Sequence, residues 1–167
     1  MSNSDIIYKS IISKRDTRQY TDDPIPDEIM HRILTAGRMA GSAKNEQPVR
    51  YVVVCEQAQK QALAECGQWT TPLPPAQAVI VVLLSQGSNP FDGGRAAQNL
   101  MAAAWAHGIT SCPVSVYPEE EVRKVLGHPS GYTACIALAM AYPQKDIPNP
   151  SRGVRIPLDE LVHWEKW

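Results

Sequence analysis

The sequence predicts an α+β fold, a sheet sandwiched by helices, and three observations carry that expectation. Residues 78–84 form an unbroken apolar run, the pattern of a strand covered on both faces. Residues 133–141 give a second strand signal, and residues 51–55 a shorter β-branched one. Segments of helical spacing fill the intervals, so the two kinds of element alternate along the chain. That alternation alone also admits an α/β arrangement.

From the N-terminus, residues 5–13 carry apolar side chains at 6, 7, 11 and 12, which predicts a short amphipathic helix. Pro24 and Pro26 break the chain. Asp27 can then cap a helix running to residue 40, with Ile29, Ile33, Leu34 and Ala36 on its apolar face. Residues 41–48 are polar and end in proline, so they form a loop. A strand over 51–55 leads to a helix over 57–66 and a proline-rich crossing over 67–75. After the strand over 78–84, a loop over 85–94 precedes an alanine-rich helix over 95–107, stopped by Gly108. Small residues at 96, 97, 102, 103, 104 and 106 allow close approach, which places this helix centrally. Residues 118–126 predict a helix opened by a proline, with consecutive glutamates complementing the dipole of its first turn.

Beyond the strand over 133–141 the chain turns proline-rich before its closing segment, 158–167. Leu161, Val162, Trp164 and Trp167 are too apolar to remain in water. They can pack on a partner subunit as an arm or fold back on their own domain, and composition does not separate the two. No repeat or low-complexity linker divides the chain, so residues 1–167 are expected to form one domain.

Composition removes several function classes. Sixteen basic and 17 acidic residues give a net charge of -1, so neither a nucleic-acid surface nor a polybasic membrane anchor is expected. Any functional positive charge has to be local. The N-terminus lacks a basic stretch followed by an apolar one, and no apolar run approaches the roughly 18 residues of a membrane span. A cytoplasmic location is the expectation. Cys55, Cys66, Cys112 and Cys135 form no CxxC pair and read as reduced, buried thiols. His31, His107, His128 and His163 are scattered, so no metal site is expected. Dinucleotide-binding GxGxxG, P-loop and GxSxG patterns are missing as well.

Four segments could carry chemistry. Lys14-Arg15-Asp16-Thr17-Arg18 places three cations in five residues, suited to a phosphate or to plain solvation. Gly41-Ser42-Ala43-Lys44-Asn45-Glu46-Gln47-Pro48 offers amides that can read a heterocycle edge, or it is a polar turn. In Asp92-Gly93-Gly94-Arg95-Ala96-Ala97-Gln98-Asn99-Leu100, Asp92 or a glycine can cap the helix, while the glycines let a ligand or neighbour approach. Arg152-Gly153-Val154-Arg155-Ile156-Pro157-Leu158 is a second basic spot.

In this order the four pieces resemble the nitroreductase family of FMN enzymes, from about Ile6 to the C-terminus. The family's Arg-Arg-Ser-x-Arg stretch and following Pro-x-Pro are matched by residues 14–18 and Pro24-Ile25-Pro26. Its Pro-Ser-x-x-Asn-x-Gln-Pro-Trp loop is matched by residues 41–49, and its Asp-x-Gly-x-Ala-x-Gln-Asn-Leu helix by residues 92–100. Its Arg-x-Pro-Leu-x-Glu-x-Val-x-Trp tail is matched by residues 155–164.

The resemblance implies a mostly antiparallel sheet, a homodimer with exchanged C-terminal arms, and FMN at the interface. Arg15, Arg18 and Arg155 would hold its phosphate and ribityl end, with Lys14 helping. Ser42, Ala43 and Asn45 would arrive from the other subunit, and the backbone of Cys112-Pro113-Val114 would face the isoalloxazine. Asp16, Gly41, Gln47 and Arg152 belong to the same cofactor set. The implied reaction is ping-pong: NAD(P)H passes hydride to flavin N5 and leaves, and an oxidant such as a nitroaromatic or quinone takes its place. No side-chain acid or base is required.

Three departures stand out. Asp16 replaces the usual Ser and would repel a phosphate unless Arg15 or Arg18 pairs with it. Val49 replaces the usual aromatic. The stretch between Cys66 and Ala78 lacks a helical insertion, leaving Trp69, Thr70 and Thr71 as candidate rim residues. Alternative readings are a flavin carrier or sensor without turnover, a specialised dehalogenase- or flavin-destructase-like member, and a nucleotide-phosphate-binding domain without flavin.

Overall fold

The computed structural model describes residues 2–145 and 155–167. Its elements are helix α1 (Asn3–Ser13), α2 (Asp27–Arg38), strand β1 (Val49–Val54), α3 (Gln57–Ala64), β2 (Ala78–Ser85), α4 (Pro90–Ala106), β3 (Thr110–Val114), α5 (Glu119–Leu126), β4 (Tyr132–Ala141) and α6 (Leu158–Leu161). The four strands form one sheet in the order β1-β2-β4-β3, and every pairing is antiparallel. That settles the architecture as α+β rather than α/β.

β2 lies between β1 and β4, and its apolar run is buried from Ala78 to Leu84. Strand side chains alternate between faces. Val79, Val81 and Leu83 therefore join Ala137 and Ala139 on one face, covered by Leu63 of α3 and Val122 of α5. Ile80 and Val82 join Leu138 and Met140 on the other, covered by Ile33 of α2 and Leu100 and Ala104 of α4. Each fully buried aliphatic side chain contributes about 1.5–3 kcal/mol of transfer free energy, which makes this sandwich the main source of stability.

Three boundaries differ from the sequence reading. α4 begins at Pro90, inside the segment expected as a loop, because Asn89 caps it and Pro90 supplies the first helical φ. Asp92 is thus a buried first-turn residue and not the cap. Two glycines do not stop this helix, since Gly93 packs where β4 crosses it. A Cβ there would lie 2.8 Å from Cys135 Sγ. α2 begins at Asp27, with Pro26 in the cap position and no side-chain cap, and it ends at Arg38. Strand β3 was not anticipated, because Pro113 interrupts its pattern. Proline is tolerated there because β3 is an edge strand and Pro113 faces outward.

Two of the four thiols contradict the buried reading: Cys66 and Cys112 are buried, while Cys55 and Cys135 are exposed. Among the described residues no helix is long and apolar enough to cross a membrane.

The apolar face of α1 is largely uncovered among the described residues. A Ser2–Asp5 capping box starts the helix, yet none of its residues is buried, and Ile6, Ile7, Ile11 and Ile12 are 50–62% exposed. The closing segment behaves alike: Leu158, Leu161, Trp164 and Trp167 are all exposed and do not fold back onto the core. Together they leave far more apolar surface in water than isolated side chains would.

Candidate functional site

The basic segment at residues 14–18 follows α1 and runs along the outer edge of β3. Asp16 forms a parallel bridge with Ser111, and Thr110 Oγ1 donates to Arg15 O at 3.4 Å. Tyr20 bridges Pro143, and the Thr21 N–H donates to Tyr142 O at 2.9 Å, fixing the exit of the segment. Lys14, Arg15, Asp16 and Arg18 are therefore brought beside Cys112, Pro113 and Val114.

The partner of Asp16 differs from the expectation. Its carboxylate pairs with Lys14, not with Arg15 or Arg18. Arg15 Nη1 donates to Ile12 O and Lys14 O at 2.8 and 2.7 Å, capping the end of α1. Arg18 is exposed and makes no ion pair among the described residues. Beside it, burial pushes the Cys112 thiol up from its usual value, with Arg18 pulling it partly back. Burial also raises the Tyr20 phenol well above its ordinary range, and the neighbouring Cys112 adds to the rise. Both groups stay neutral at pH 7. Two hydroxyls here, Tyr20 OH and Ser111 Oγ, are buried without a hydrogen-bond partner. Neither residue stood out in the sequence, because an isolated Tyr or Ser carries no spacing signal.

The polar loop at residues 41–48 lies elsewhere. It leaves the end of α2, makes a 3-10 turn over Ala43–Asn45, and enters β1. Ser42 Oγ accepts from the Gln47 N–H at 2.9 Å and closes the loop. Pro48 is buried, and its carbonyl accepts from the Ser85 N–H at 3.0 Å. Lys44, Asn45 and Gln47 all have positive φ, at 48°, 57° and 50°. Asn tolerates that region, whereas for other side chains it costs roughly 1–2 kcal/mol. Ala43, Asn45 and Gln47 are left exposed, with Ser42 half-buried.

Helix α4 measures the separation of the two segments. Lys14 reaches Met101 and Ser13 accepts from Trp105 Nε1 at 3.0 Å, both on its C-terminal half. Gly41 instead lies against Arg95 near its start. At 1.5 Å per residue, Arg95 and Met101 are about 9 Å apart along the axis, and no hydrogen bond or ion pair among the described residues joins the loop to the basic segment. Arg155 is exposed and makes no hydrogen bond or ion pair among the described residues, and Arg152 lies outside them. Of the three rim candidates, Trp69 and Thr71 are exposed, but Thr70 is buried and donates to Ala64 O, a structural role.

The profile of the nitroreductase family matches residues 11–91 and 88–142. The chain belongs to the nitroreductase family. An Archaeoglobus fulgidus relative described as an NADH dehydrogenase/NAD(P)H nitroreductase is 32% identical over 170 residues, covering 95% of this chain and 97% of its own. An NADH dehydrogenase of Thermus thermophilus is 29% identical over 193 residues, with 92% and 93% covered. Among solved structures, a Desulfovibrio desulfuricans nitroreductase in complex with FMN superposes with a TM-score of 0.83 at 25% identity, covering 100% and 99% of the two chains. The antiparallel sheet and its helical layers are thus those of a nitroreductase fold.

Proposed function

We propose that this nitroreductase-family chain is an FMN-dependent oxidoreductase that uses NAD(P)H to reduce an electron-poor acceptor such as a nitroaromatic or a quinone. The observation that carries the reading is the basic segment on the edge of β3. Its one acid is already matched by Lys14, Arg18 makes no ion pair among the described residues, and the buried Ser111 Oγ has a hydrogen bond still to make. Those features fit an anionic cofactor with hydroxyls, as FMN is. Support also comes from relatives described as NAD(P)H nitroreductases and from a similar structure described as holding FMN.

Bound FMN supplies the hydride-transfer chemistry, and the protein supplies binding and orientation. Arg15 and Arg18, with Arg155 and Arg152 of the tail, bind the phosphate and ribityl end through charge-assisted hydrogen bonds. Lys14 holds Asp16 away from that phosphate. The outer edge of β3 presents the backbone of Cys112, Pro113 and Val114 to the ring. Gly41, Ser42, Ala43, Asn45 and Gln47 would come from a second copy, as the family resemblance implies, and no hydrogen bond or ion pair among the described residues ties them to residues 14–18 of their own chain.

A homodimer follows from the same reading. The exposed isoleucines of α1 and the apolar tail need cover, and a second copy supplies it. Beside the open edge of β1, a groove of about 560 Å³ lined by Leu34, Val49, Tyr51 and Val53, with Arg38 and Arg50, offers a seat for the partner's Leu158, Leu161 and Trp164. An absorbance spectrum of the purified protein tests the proposal. Flavin bands, release of FMN on denaturation and bleaching by NADH or NADPH without oxygen are expected. A colourless protein that takes up no added FMN would overturn it, and flavin that no nicotinamide bleaches would leave a carrier or sensor.

A further inference from the structure

Asp92 stands in the first turn of α4 and is only 7% exposed. Its backbone N–H donates to Asn89 O, but its carboxylate makes no hydrogen bond or ion pair among the described residues. Burying a carboxylate is costly unless a donor meets it, so such a group ordinarily has a partner. Asp92 lines a cleft of about 120 Å³ between α2, the loop at residues 41–48, β1 and the start of α4, together with Gly37, Ser42, Val49 and Tyr51. Among the described residues of that lining it is the one acid.

The chain's own donors nearby are turned elsewhere. The Arg50 guanidinium lies over the Tyr132 ring, 5.8 Å from its centroid, and its Nη1 donates to Gln47 O and Val49 O at 2.9 and 2.8 Å. Arg95 rests over the Phe91 ring at 5.7 Å. The cleft adjoins the groove beside β1, since Arg38, Val49, Arg50 and Tyr51 line both. The tail offers a side chain matched to that pair of spaces. Trp164 is 85% exposed, with an apolar body and a donor at its edge, and its indole N–H makes no hydrogen bond among the described residues. A buried indole usually finds an acceptor for that N–H. Leu158 and Leu161 carry no side-chain donor, and His163 and Trp167 stack on each other with ring centroids 4.2 Å apart.

We infer that Asp92 is the receptor for the tail of a second copy: the partner's Trp164 lays its ring in the groove beside β1 and donates its indole N–H to the Asp92 carboxylate in the adjoining cleft. The inference rests on the homodimer reading, which seats the partner's tail in that groove. An aromatic ring in an apolar groove with one desolvated hydrogen bond is the kind of contact that concentrates binding energy at an interface. Ser42 lines the same cleft, so a docked tail also braces the start of the loop at residues 41–48.

The test is a double-mutant cycle on the full chain, with Asp92→Ala, Trp164→Phe and both together. Trp164→Phe keeps an aromatic ring and removes the N–H. Sedimentation measures the dissociation constant of the dimer, and each single substitution should raise it about 10- to 100-fold. The double substitution should raise it little further, because both remove the same bond. Asp92→Asn keeps an acceptor and should recover part of the loss. Hydrogen exchange by NMR gives a second readout, with the Trp164 indole signal assigned by its loss in Trp164→Phe. That N–H should be protected in the wild-type dimer and exposed in Asp92→Ala. If Asp92→Ala fails to fold, Trp164→Phe and the wild-type exchange rate still decide. Additive losses, a dimer indifferent to either substitution, or a Trp164 N–H that exchanges freely in the wild-type dimer would overturn the contact. A wild type that stays monomeric would sink the homodimer reading and the contact with it, whereas a stable dimer indifferent to Asp92 would sink the contact alone.

Discussion

The two polar segments flanking α4 are built in contrasting ways. The basic segment at residues 14–18 is bonded to the edge of a buried sheet, its acid is paired internally, and its exit is tied to Tyr142. The loop at residues 41–48 instead leans on short-range bonds and carries backbone strain, with three positive φ angles stabilised by Ser42, Pro48 and Arg50. The first is a rigid receptor for charge. The second is a projecting clamp whose amides reach no groups of their own chain's basic segment. On the proposed reading, the difference teaches that one chain would carry two halves of a site and that their union would be a property of an assembly.

The largest effect should come from breaking the rigid half. Arg15→Ala/Arg18→Ala removes two charged donors worth about 1.5–3 kcal/mol each, so FMN affinity should fall by roughly 10² to 10⁴-fold. Fluorescence titration of the apoprotein measures it, and near-stoichiometric flavin in the variant would refute the assignment. Arg18→Ala alone is the cleaner probe, since Arg15 also caps α1.

Breaking the junction comes next. Ile7→Glu/Ile11→Glu puts charges on the face of α1 that is exposed among the described residues. Sedimentation should then report monomers with less bound FMN and helical content unchanged. A dimer that persists would move the interface elsewhere.

Smaller again is a change at the clamp. Ser42→Ala deletes the acceptor of the Gln47 N–H, and the loss of one such bond should cost about 0.5–1.5 kcal/mol. FMN affinity should drop several-fold while the thermal midpoint moves by only a few degrees. A large stability loss without weaker flavin binding would make the loop structural only.

The smallest effect is on pH. Cys112, Cys66 and Cys135 have their thiols raised from the ordinary 9.0, chiefly by burial, and Tyr20 is raised from 10.0 for the same reason. A raised folded value means the folded state keeps protons that the unfolded chain releases. Their contribution is therefore complete below about pH 9 and is lost as pH rises through the thiol range and beyond. Denaturant midpoints measured from pH 7 to 10.5 should hold level and then decline, and Cys112→Ser should flatten part of that fall.

Much of this was legible in the chain itself. The run at residues 78–84 could only be a doubly covered strand, and the spacing of the four motifs was enough to carry a family resemblance. What escaped was decided by contacts between distant residues. Pro113 hid β3, because a proline's fitness for a strand depends on whether that strand is an edge. Gly93 and Gly94 hid the first turns of α4, because the place of Gly93 there rests on Cys135 crossing at close range. Arg95 lay within a recognised motif, yet its neighbour Gly41 is far away in sequence. The pairing of Asp16 with Lys14 likewise required the actual turn after α1.

The central claim, a site completed by two copies, is tested most directly by mixing two broken variants. One carries Arg15→Ala/Arg18→Ala, the other Ser42→Ala/Asn45→Ala, and the two are co-expressed with different tags. In a composite dimer, half of the assemblies are mixed and one of their two sites is whole, so about a quarter of wild-type flavin content and NAD(P)H oxidation should return. Activity no higher than the average of the two variants alone, in dimers proven to be mixed, would mean that each chain builds its site by itself.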